Sequence, residues 1–163
     1  MMTEIRRDQF KRNVGVLAAR PAAVARQKFI QTFLDTETDF FRHNIKSKRR
    51  FSDGNCYEGY LWDCLARYSK VSFKTILRRL LRYKKVLAFW DIHSHDRILI
   101  EDYWLFPKHA VLEIRSEILA ANLVFLLQDL YIFDDSFSWA LILTHEYDEK
   151  GDIFLAARPV KSK

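Results

Sequence analysis

Residues 130–160 read LYIFDDSFSWALILTHEYDEKGDIFLAARPV, three runs of aliphatic and aromatic residues separated by short polar segments. Runs of this length and composition are typical of β-strands, and the Asp, Ser and Gly residues between them favour turns. We therefore predict three consecutive strands, LYIFDD, SWALILTHE and DIFLAARPV, with turns at 135–137 and 147–151. Strands joined by turns this short pair as antiparallel neighbours, so this stretch predicts an antiparallel sheet.

More strand-like sequence precedes this stretch. The segments KVLAFWDIH, residues 85–93, and RILIEDYWLF, residues 97–106, are rich in β-branched and aromatic residues. The short polar segment between them predicts a β-hairpin. AVLEIR, residues 110–115, predicts a further strand, and Ser116 can serve as the N-cap of a short helix after it.

The first half of the chain follows the helical period. Apolar residues recur at about every 3.6 positions from Ala22 to Ile45, which predicts one long helix or two helices joined near Thr36. Another helix is predicted after Ser72, a residue type that is favoured at N-caps. Residues 57–68 also predict an amphipathic helix. The apolar stripe of that helix consists of Tyr57, Tyr60, Leu61, Cys64, Leu65 and Tyr68.

Helices come first along the chain and strands follow, an order that favours an α+β domain over alternating parallel units. We predict N-terminal helices packed on one face of a mostly antiparallel β-sheet that is formed by the C-terminal half. A chain of 163 residues is most simply a single domain, 1–163. Residues 1–21 are polar and basic, and we expect them to form a flexible arm or a short helix.

The sequence predicts a cytoplasmic protein without a membrane span. No uncharged apolar run reaches the roughly 20 residues that a bilayer requires, and the N-terminal charges are too scattered for a signal peptide. The two cysteines, Cys56 and Cys64, are placed about two helical turns apart in the predicted structure. That separation is hard to bridge with a disulfide, so we expect both to be reduced.

Residues 91–95, DIHSH, match the Asp-x-His-x-His pattern that ends the first barrel strand in the PHP metal-dependent phosphoesterases. The resemblance implies metal ligands at Asp91, His93 and His95. That fold needs many more βα units than the 68 residues after His95 can form. We therefore interpret the segment as the tip of the predicted hairpin and predict no metal site.

Other catalytic arrangements are also lacking in the sequence. His145 and Glu146 are neighbours in a predicted strand, so their side chains point to opposite faces unless a bulge intervenes. There is no Gly-x-Ser-x-Gly elbow, the four glycines stand apart, and neither cysteine has a histidine close in sequence. We predict a protein that is not an enzyme and that needs no cofactor.

The charge is divided unevenly along the chain. Residues 1–100 carry 21 Lys and Arg against 10 Asp and Glu, whereas residues 101–163 carry 6 against 11. The basic helices could contact phosphates, so nucleic-acid binding is one alternative function. The residues predicted for it are Arg49, Arg50, Lys74, Arg78 and Arg82. In the acidic part, carboxylates at strand ends predict a rim that suits a basic protein partner. That rim consists of Asp134, Asp135, Glu146, Asp148, Glu149 and Asp152.

Two segments, YEGYLWDCL at residues 57–65 and LYIFDDSFSWALILTHE at residues 130–146, resemble small bacterial α+β proteins of toxin and immunity loci. These include the immunity proteins of contact-dependent growth inhibition systems. The resemblance implies a protein without catalytic residues that binds a cognate toxin domain and covers its active or target-binding surface. Immunity proteins against nucleases often present acidic surfaces, whereas this chain has a net charge of +6.

Tight inhibitors of this kind bind through a few aromatic or Arg anchors inside a charged rim. We accordingly predict that the contacts with the toxin come from aromatic residues near turns and from carboxylates of the acidic rim. The predicted partner-binding residues are Tyr103, Trp104, Asp134, Asp135, Phe137 and Glu149.

Overall fold

The computed structural model describes most of the chain. The described residues are 4–47, 49–51, 54–56, 58–91, 106–107, 109–126 and 128–160. The α-helices among them are α1 (Glu4–Arg12), α2 (Ala19–Phe33), α3 (Phe73–Leu80) and α4 (Ser116–Asn122). A π-helical turn spans Phe41–Lys46, and 3₁₀ turns span Leu61–Cys64 and Leu123–Phe125.

The strands of the described residues form a large sheet and a small hairpin. They are β1 (Val14–Val16), β2 (Arg49–Phe51), β3 (Gly54–Cys56), β4 (Tyr68–Val71), β5 (Lys85–Trp90), β6 (Leu112–Arg115), β7 (Leu130–Phe133), β8 (Ala140–Asp148) and β9 (Gly151–Ala157). Seven strands pair in the order β1-β6-β5-β7-β8-β9-β4, every pair antiparallel, while β2 pairs with β3. The predicted α+β class is confirmed, with helices mainly in the N-terminal half and strands mainly in the C-terminal half.

Helices cover both faces of the sheet, so the prediction of one covered face is wrong. In β7, Tyr131 and Phe133 belong to the core under α2, whereas Leu130 and Ile132 belong to the core under α1, α3 and α4. All four side chains are completely buried. A strand that is apolar on both sides must be covered on both sides, because exposing either side would leave apolar area in water.

The core on the α2 side is built around aromatic rings. The ring of Phe29 lies 4.8 to 5.4 Å from those of Phe33, Phe89, Tyr131 and Phe133, measured between centroids. Aromatic pairs at such distances stabilise a core beyond the area that they bury. This packing fixes α2 over the middle of the sheet. The sequence predicted either one long helix or two helices joined near Thr36, and α2 and the π-helical turn are indeed separate elements.

The prediction of an amphipathic helix over residues 57–68 is wrong. The described part of this segment, 58–68, contains the 3₁₀ turn, an isolated bridge between Leu34 and Leu65, and the start of β4. The N–H of Asp35 donates to the carbonyl of Cys64 at 2.8 Å, and the N–H of Ala66 donates to the carbonyl of Phe33 at 3.0 Å. Backbone groups that a helix would pair internally are thus paired with the end of α2.

The apolar stripe of that segment is nevertheless partly buried. Leu61 and Cys64 lie in the core under α2, whereas Tyr68 is 57% exposed on the edge strand β4. At Gly59, an added Cβ would lie 2.9 Å from ring atoms of Phe40. This close approach favours glycine at the start of an irregular segment that lies against the π-helical turn.

Predictions at the other elements have mixed outcomes. Ser72 is the N-cap of α3, as predicted, and its hydroxyl accepts a hydrogen bond from the N–H of Thr75 at 3.2 Å. Ser116 is not a cap but the first residue of α4.

The N-terminal residues form α1 and then β1, which pairs with β6. The predicted strand 97–106 lies almost entirely outside the described residues, and β5 pairs with β6 and β7.

Candidate functional site

Two backbone irregularities meet at the end of the sheet where β5 ends and β7 begins. Asp129, the residue before β7, has a φ of 60°, a left-handed conformation that is uncommon outside glycine. Between the pairs Leu143–Phe154 and Tyr147–Asp152, β8 has two more residues than β9, which is a β-bulge. Because strained backbone and bulges concentrate at functional sites, this end of the sheet is the candidate site.

The bulge determines where His145 and Glu146 point. The hydroxyl of the buried Thr144 donates to the carbonyl of Ile153 at 2.8 Å and accepts from the N–H of Glu146 at 3.3 Å. The Nε2 atom of His145 lies 3.6 Å from a carboxylate oxygen of Glu146. The sequence analysis separated these two side chains unless a bulge intervened, and the structure has that bulge. The pair therefore belongs to one site.

Asp129 connects His145 to Trp62. Its Oδ1 atom lies 2.9 Å from Nδ1 of His145 and accepts a hydrogen bond from the indole N–H of Trp62 at 3.0 Å. The side chain of Asp129 is 5% exposed, and that of His145 is 36% exposed. A buried carboxylate thus orients two rings that come from distant parts of the sequence.

A second buried carboxylate anchors the segment that carries Trp62. Tyr131 donates its hydroxyl hydrogen to Asp91, and both residues are completely buried. The same hydroxyl accepts a hydrogen bond from the backbone N–H of Trp62 at 2.9 Å, and the N–H of Leu61 lies 3.4 Å from each Asp91 oxygen. Burial, followed by the negative charge of Asp91, raises the pKa of Tyr131 well above its usual range, so the phenol stays a donor.

These contacts give Asp91 a different role from the metal ligand that the DIHSH segment resembles. Asp91 accepts hydrogen bonds from Tyr131 and Leu61 and so holds the 3₁₀ turn against the sheet. His93 and His95 lie outside the described residues. Among the residues that the structure describes, no group of three or more His, Cys, Asp or Glu side chains could hold a metal ion.

Three half-exposed rings form the surface of the site. The rings of Tyr60 and Trp62 are stacked, with centroids 5.3 Å apart and planes 14° apart. The His145 ring lies 4.6 Å from that of Tyr60 and 5.7 Å from that of Trp62, measured between centroids. Asp63 and Glu146, both exposed, follow Trp62 and His145 in the chain. We call these five residues the Trp62 surface.

The Trp62 surface and the neighbouring Asp129 carry carboxylates that no lysine or arginine of the described residues pairs with. Within the described ranges, Asp63, Asp129 and Glu146 form no ion pair with a lysine or an arginine. Partial burial, followed by the charges of Glu146 and Asp129, raises the pKa of Asp63. Carboxylates that repel one another in this way favour a cation from outside.

The chemistry available for catalysis at this site is limited. Partial burial, followed by the charges of nearby carboxylates, raises the pKa of the Cys64 thiol to about 12, so the thiol is protonated and a poor nucleophile. Asp129 orients the imidazole of His145 as it would a general base. The second ring nitrogen lies 3.6 Å from a carboxylate oxygen of Glu146, however, and no hydroxyl or thiol of the described residues is bonded to it.

The predicted acidic rim is divided between the two ends of β8. Asp134 and Asp135 lie in the β7–β8 turn, at the far end of this nine-residue strand from His145. A strand of that length spans about 30 Å, so including Asp134 and Asp135 in one rim is wrong. The other members lie at the same end of β8 as His145: Glu146, Asp148, Glu149 and Asp152.

Of the three predicted aromatic anchors, only Phe137 lies in the part of the chain that the structure describes. Phe137 is 8% exposed, and its ring packs on that of Phe133 with centroids 5.2 Å apart. The prediction of an exposed aromatic at this position is wrong, because the left-handed backbone at Phe137 turns the ring into the core. Tyr103 and Trp104 lie outside the described residues.

The basic residues predicted for nucleic-acid binding are on or near α3 and β2. Lys74 and Arg78 are exposed one helical turn apart on α3, and Arg82 is exposed just beyond its end. None of the three forms an ion pair within the part of the chain that the structure describes. Arg49 and Arg50 belong to β2.

A separate cavity lies on the opposite face of the sheet. It has a volume of about 890 Å³ and is lined by Phe73, Leu143 and Phe154, among others. Leu143 and Phe154 belong to or pack against the core under α1, α3 and α4. The cavity is therefore separated from the Trp62 surface by the sheet itself.

Comparisons with known proteins give no family for the chain. No family model, no curated protein and no solved structure matches it. None of the helices that the structure describes combines the length and the apolarity that crossing a bilayer would need.

Sequence reasoning missed the site as a unit, since Tyr60, Trp62, Asp63 and Asp129 were not among the predicted site residues. A signal was nevertheless present. The first three residues lie in YEGYLWDCL, and His145 and Glu146 lie in LYIFDDSFSWALILTHE, the two segments that carry the toxin-immunity resemblance. The structure brings these segments into contact through hydrogen bonds and rings.

Proposed function

We propose that this protein binds and neutralises a cognate bacterial toxin domain, and that the Trp62 surface contacts the toxin. One observation supports this proposal above the others. The two segments that resemble toxin-immunity proteins are distant in sequence, yet Tyr60 and Trp62 of one segment pack on His145 of the other. A resemblance spread over two segments thus corresponds to one continuous surface.

The composition of the Trp62 surface also supports a protein partner. Trp and Tyr are enriched among the residues that dominate protein interfaces, usually with a charged rim around them. Here the indole of Trp62 is fixed by its hydrogen bond to Asp129, and its backbone is fixed by Tyr131. Rings that are already ordered lose little conformational entropy on binding, which favours a tight complex.

A stable interface needs more area than five residues provide, about 800 Å² on each partner. The β8–β9 hairpin extends the surface beyond His145. It presents Tyr147, which is 78% exposed, and the exposed Glu149 in its turn. This hairpin and the Trp62 surface together form the interface that we propose.

The test is a calorimetric titration of the full chain with the inactivated product of the neighbouring reading frame, at physiological salt. We expect a one-to-one complex with a dissociation constant near or below about 10 nM, about −11 kcal/mol. The same molar ratio should abolish the activity of the intact toxin. No heat of binding together with full toxin activity at excess protein would contradict the proposal.

A second candidate function is nucleic-acid binding through α3. The observation that favours it is the exposure of Lys74, Arg78 and Arg82 without ion pairs among the described residues. Phosphate contacts release counterions, so affinity for an RNA or DNA oligonucleotide should fall with salt. Neutralising Arg78 and Arg82 as R78Q/R82Q should reduce the slope of log affinity against log salt by about two. An unchanged slope would remove this candidate.

A further inference from the structure

The carboxylates at and beside the Trp62 surface lie close together without a lysine or arginine partner among the described residues. Some other acidic side chains have such a partner, for example Glu113 with Lys85 at 2.9 Å and Asp148 with Lys70 at 3.3 Å. The chain has 27 Lys and Arg for 21 Asp and Glu, so cations are available. Asp63, Glu146 and Asp129 lack such a partner among the described residues, although they are close enough for the charges of the other two to raise the pKa of Asp63.

The rings provide an independent reason to expect a flat cation. Tyr60 and Trp62 are stacked on each other and half-buried next to these carboxylates, so their facing sides are covered and a ligand can contact only the remaining exposed ring surface. A guanidinium group stacks on aromatic faces, and its planar fork of five N–H donors pairs with carboxylates. A metal ion fits less well, since the described residues contain no group of three ligating side chains.

We propose that the Trp62 surface receives an arginine side chain of the partner protein. Its guanidinium lies against the rings of Tyr60 and Trp62 and pairs with the carboxylates of Asp63 and Glu146. This inference rests on the proposed function and names the group of the partner that the surface recognises. Immunity proteins against nucleases often present acidic surfaces, whereas this chain is basic overall. An acidic contact surface that binds a basic residue is compatible with both.

The experiment is an NMR titration of the full chain with N-acetyl-L-arginine methylamide at low ionic strength. The indole N–H of Trp62 and the backbone amides around it report binding. The matched control ligand is N-acetyl-L-citrulline methylamide, which has nearly the same shape but no charge. N-acetyl-L-lysine methylamide supplies a charge without the planar fork.

We expect the arginine probe to shift the Trp62 resonances with a dissociation constant on the order of 10 mM, because a single side chain binds weakly. The lysine probe should bind more weakly, and the citrulline probe should produce no saturable shift. The variant D63N/E146Q should weaken binding of the arginine probe at least about fivefold. The control variant D134N/D135N removes the same charge from the other end of β8 and should leave the affinity unchanged.

Three results would overturn the inference: equal shifts with citrulline, an unchanged affinity in D63N/E146Q, or no shift at roughly tenfold excess over the expected dissociation constant. Failure of this inference and failure of the proposed function are distinguishable. If the toxin binds while the arginine probe does not, the function stands and the arginine contact is wrong. If the arginine probe binds while the toxin does not, the surface recognises a guanidinium but the proposed partner is wrong.

Discussion

The hairpin of β7 and β8 has an irregular backbone at both ends, and the two ends are stabilised in opposite ways. At the turn end, Phe137 has a φ of 53°, and Asp134 accepts a hydrogen bond from the N–H of Ser136 at 3.1 Å. At the other end, Asp129 has a φ of 60°, and its carboxylate contacts Trp62 and His145. The first end uses neighbours in sequence, and the second joins three distant segments.

This difference separates a structural turn from a candidate binding site. In the turn, the ring of Phe137 is buried, and Asp134 and Ser136 accept hydrogen bonds from backbone N–H groups two residues further along. At the Asp129 end, half-exposed rings and exposed carboxylates remain at the surface. The left-handed residue Phe137 thus lies with a buried ring in a locally bonded turn, whereas the left-handed residue Asp129 orients rings at the surface, the arrangement that motivates a binding site.

The largest effect on stability is expected for F137A at the turn end. Removing a buried ring leaves a cavity against Phe133, so we expect the free energy of unfolding to fall by about 3 kcal/mol. Urea unfolding measures this loss, while calorimetry on the folded variant should give an unchanged affinity for the toxin. A loss of affinity without a loss of stability would place Phe137 in the interface and remove the contrast between the two ends.

A smaller loss is expected for Y131F at the site end. The substitution removes the hydroxyl that donates to Asp91 and accepts from the N–H of Trp62, so Asp91 loses its phenol donor and the N–H of Trp62 loses this acceptor. Such a loss costs about 2 kcal/mol. Thermal unfolding should show it, whereas the control Y147F, at a tyrosine that is 78% exposed, should have no effect. Equal stabilities for the two variants would show that this network does not anchor the segment.

The smallest effect, of opposite sign, is expected for D63N. Burial, followed by the charge of Glu146, raises the pKa of Asp63, so ionisation of this carboxylate lowers the free energy of unfolding. The protonated Asp63 therefore contributes to the free energy of unfolding. This contribution is complete below about pH 4 and is lost as the pH rises through the raised pKa. D63N removes this loss.

We therefore expect D63N to be more stable than the wild type at neutral pH, by less than about 0.5 kcal/mol because solvent screens an exposed carboxylate. The melting temperature should rise by about 1 °C, and the difference should vanish below about pH 4. D135N, at the turn end, is the matched control and should show no such pH dependence. A destabilised D63N at neutral pH would show that Asp63 is already compensated.

The sequence was sufficient for features that depend on near neighbours. The strands β7, β8 and β9 follow from apolar runs and turn residues, and the N-cap at Ser72 follows from its residue type. The covering of both faces could also have been inferred, because all four residues of LYIF are apolar or aromatic. Each of these features is encoded within a few residues.

The candidate site could not be predicted because it depends on contacts between distant segments. Leu61 and Cys64 have helical spacing, but the backbone around them pairs with the end of α2, which no local pattern shows. Strand alternation placed His145 and Glu146 apart, and only the bulge brings them together. Asp129 carried no sequence signal of its own, since its partners Trp62 and His145 lie in other segments.

The most direct test of the account compares two tyrosines, the half-exposed Tyr60 and the exposed Tyr68, by calorimetric titration with the toxin. Tyr60 belongs to the Trp62 surface, whereas Tyr68 is 57% exposed on β4, which pairs with β9 near the turn end. With both variants shown to be folded, we predict that Y60A weakens binding at least about 100-fold and that Y68A changes it less than about twofold. Unchanged affinity in Y60A, or a larger loss in Y68A, would contradict the claim that the Trp62 surface is where the partner binds.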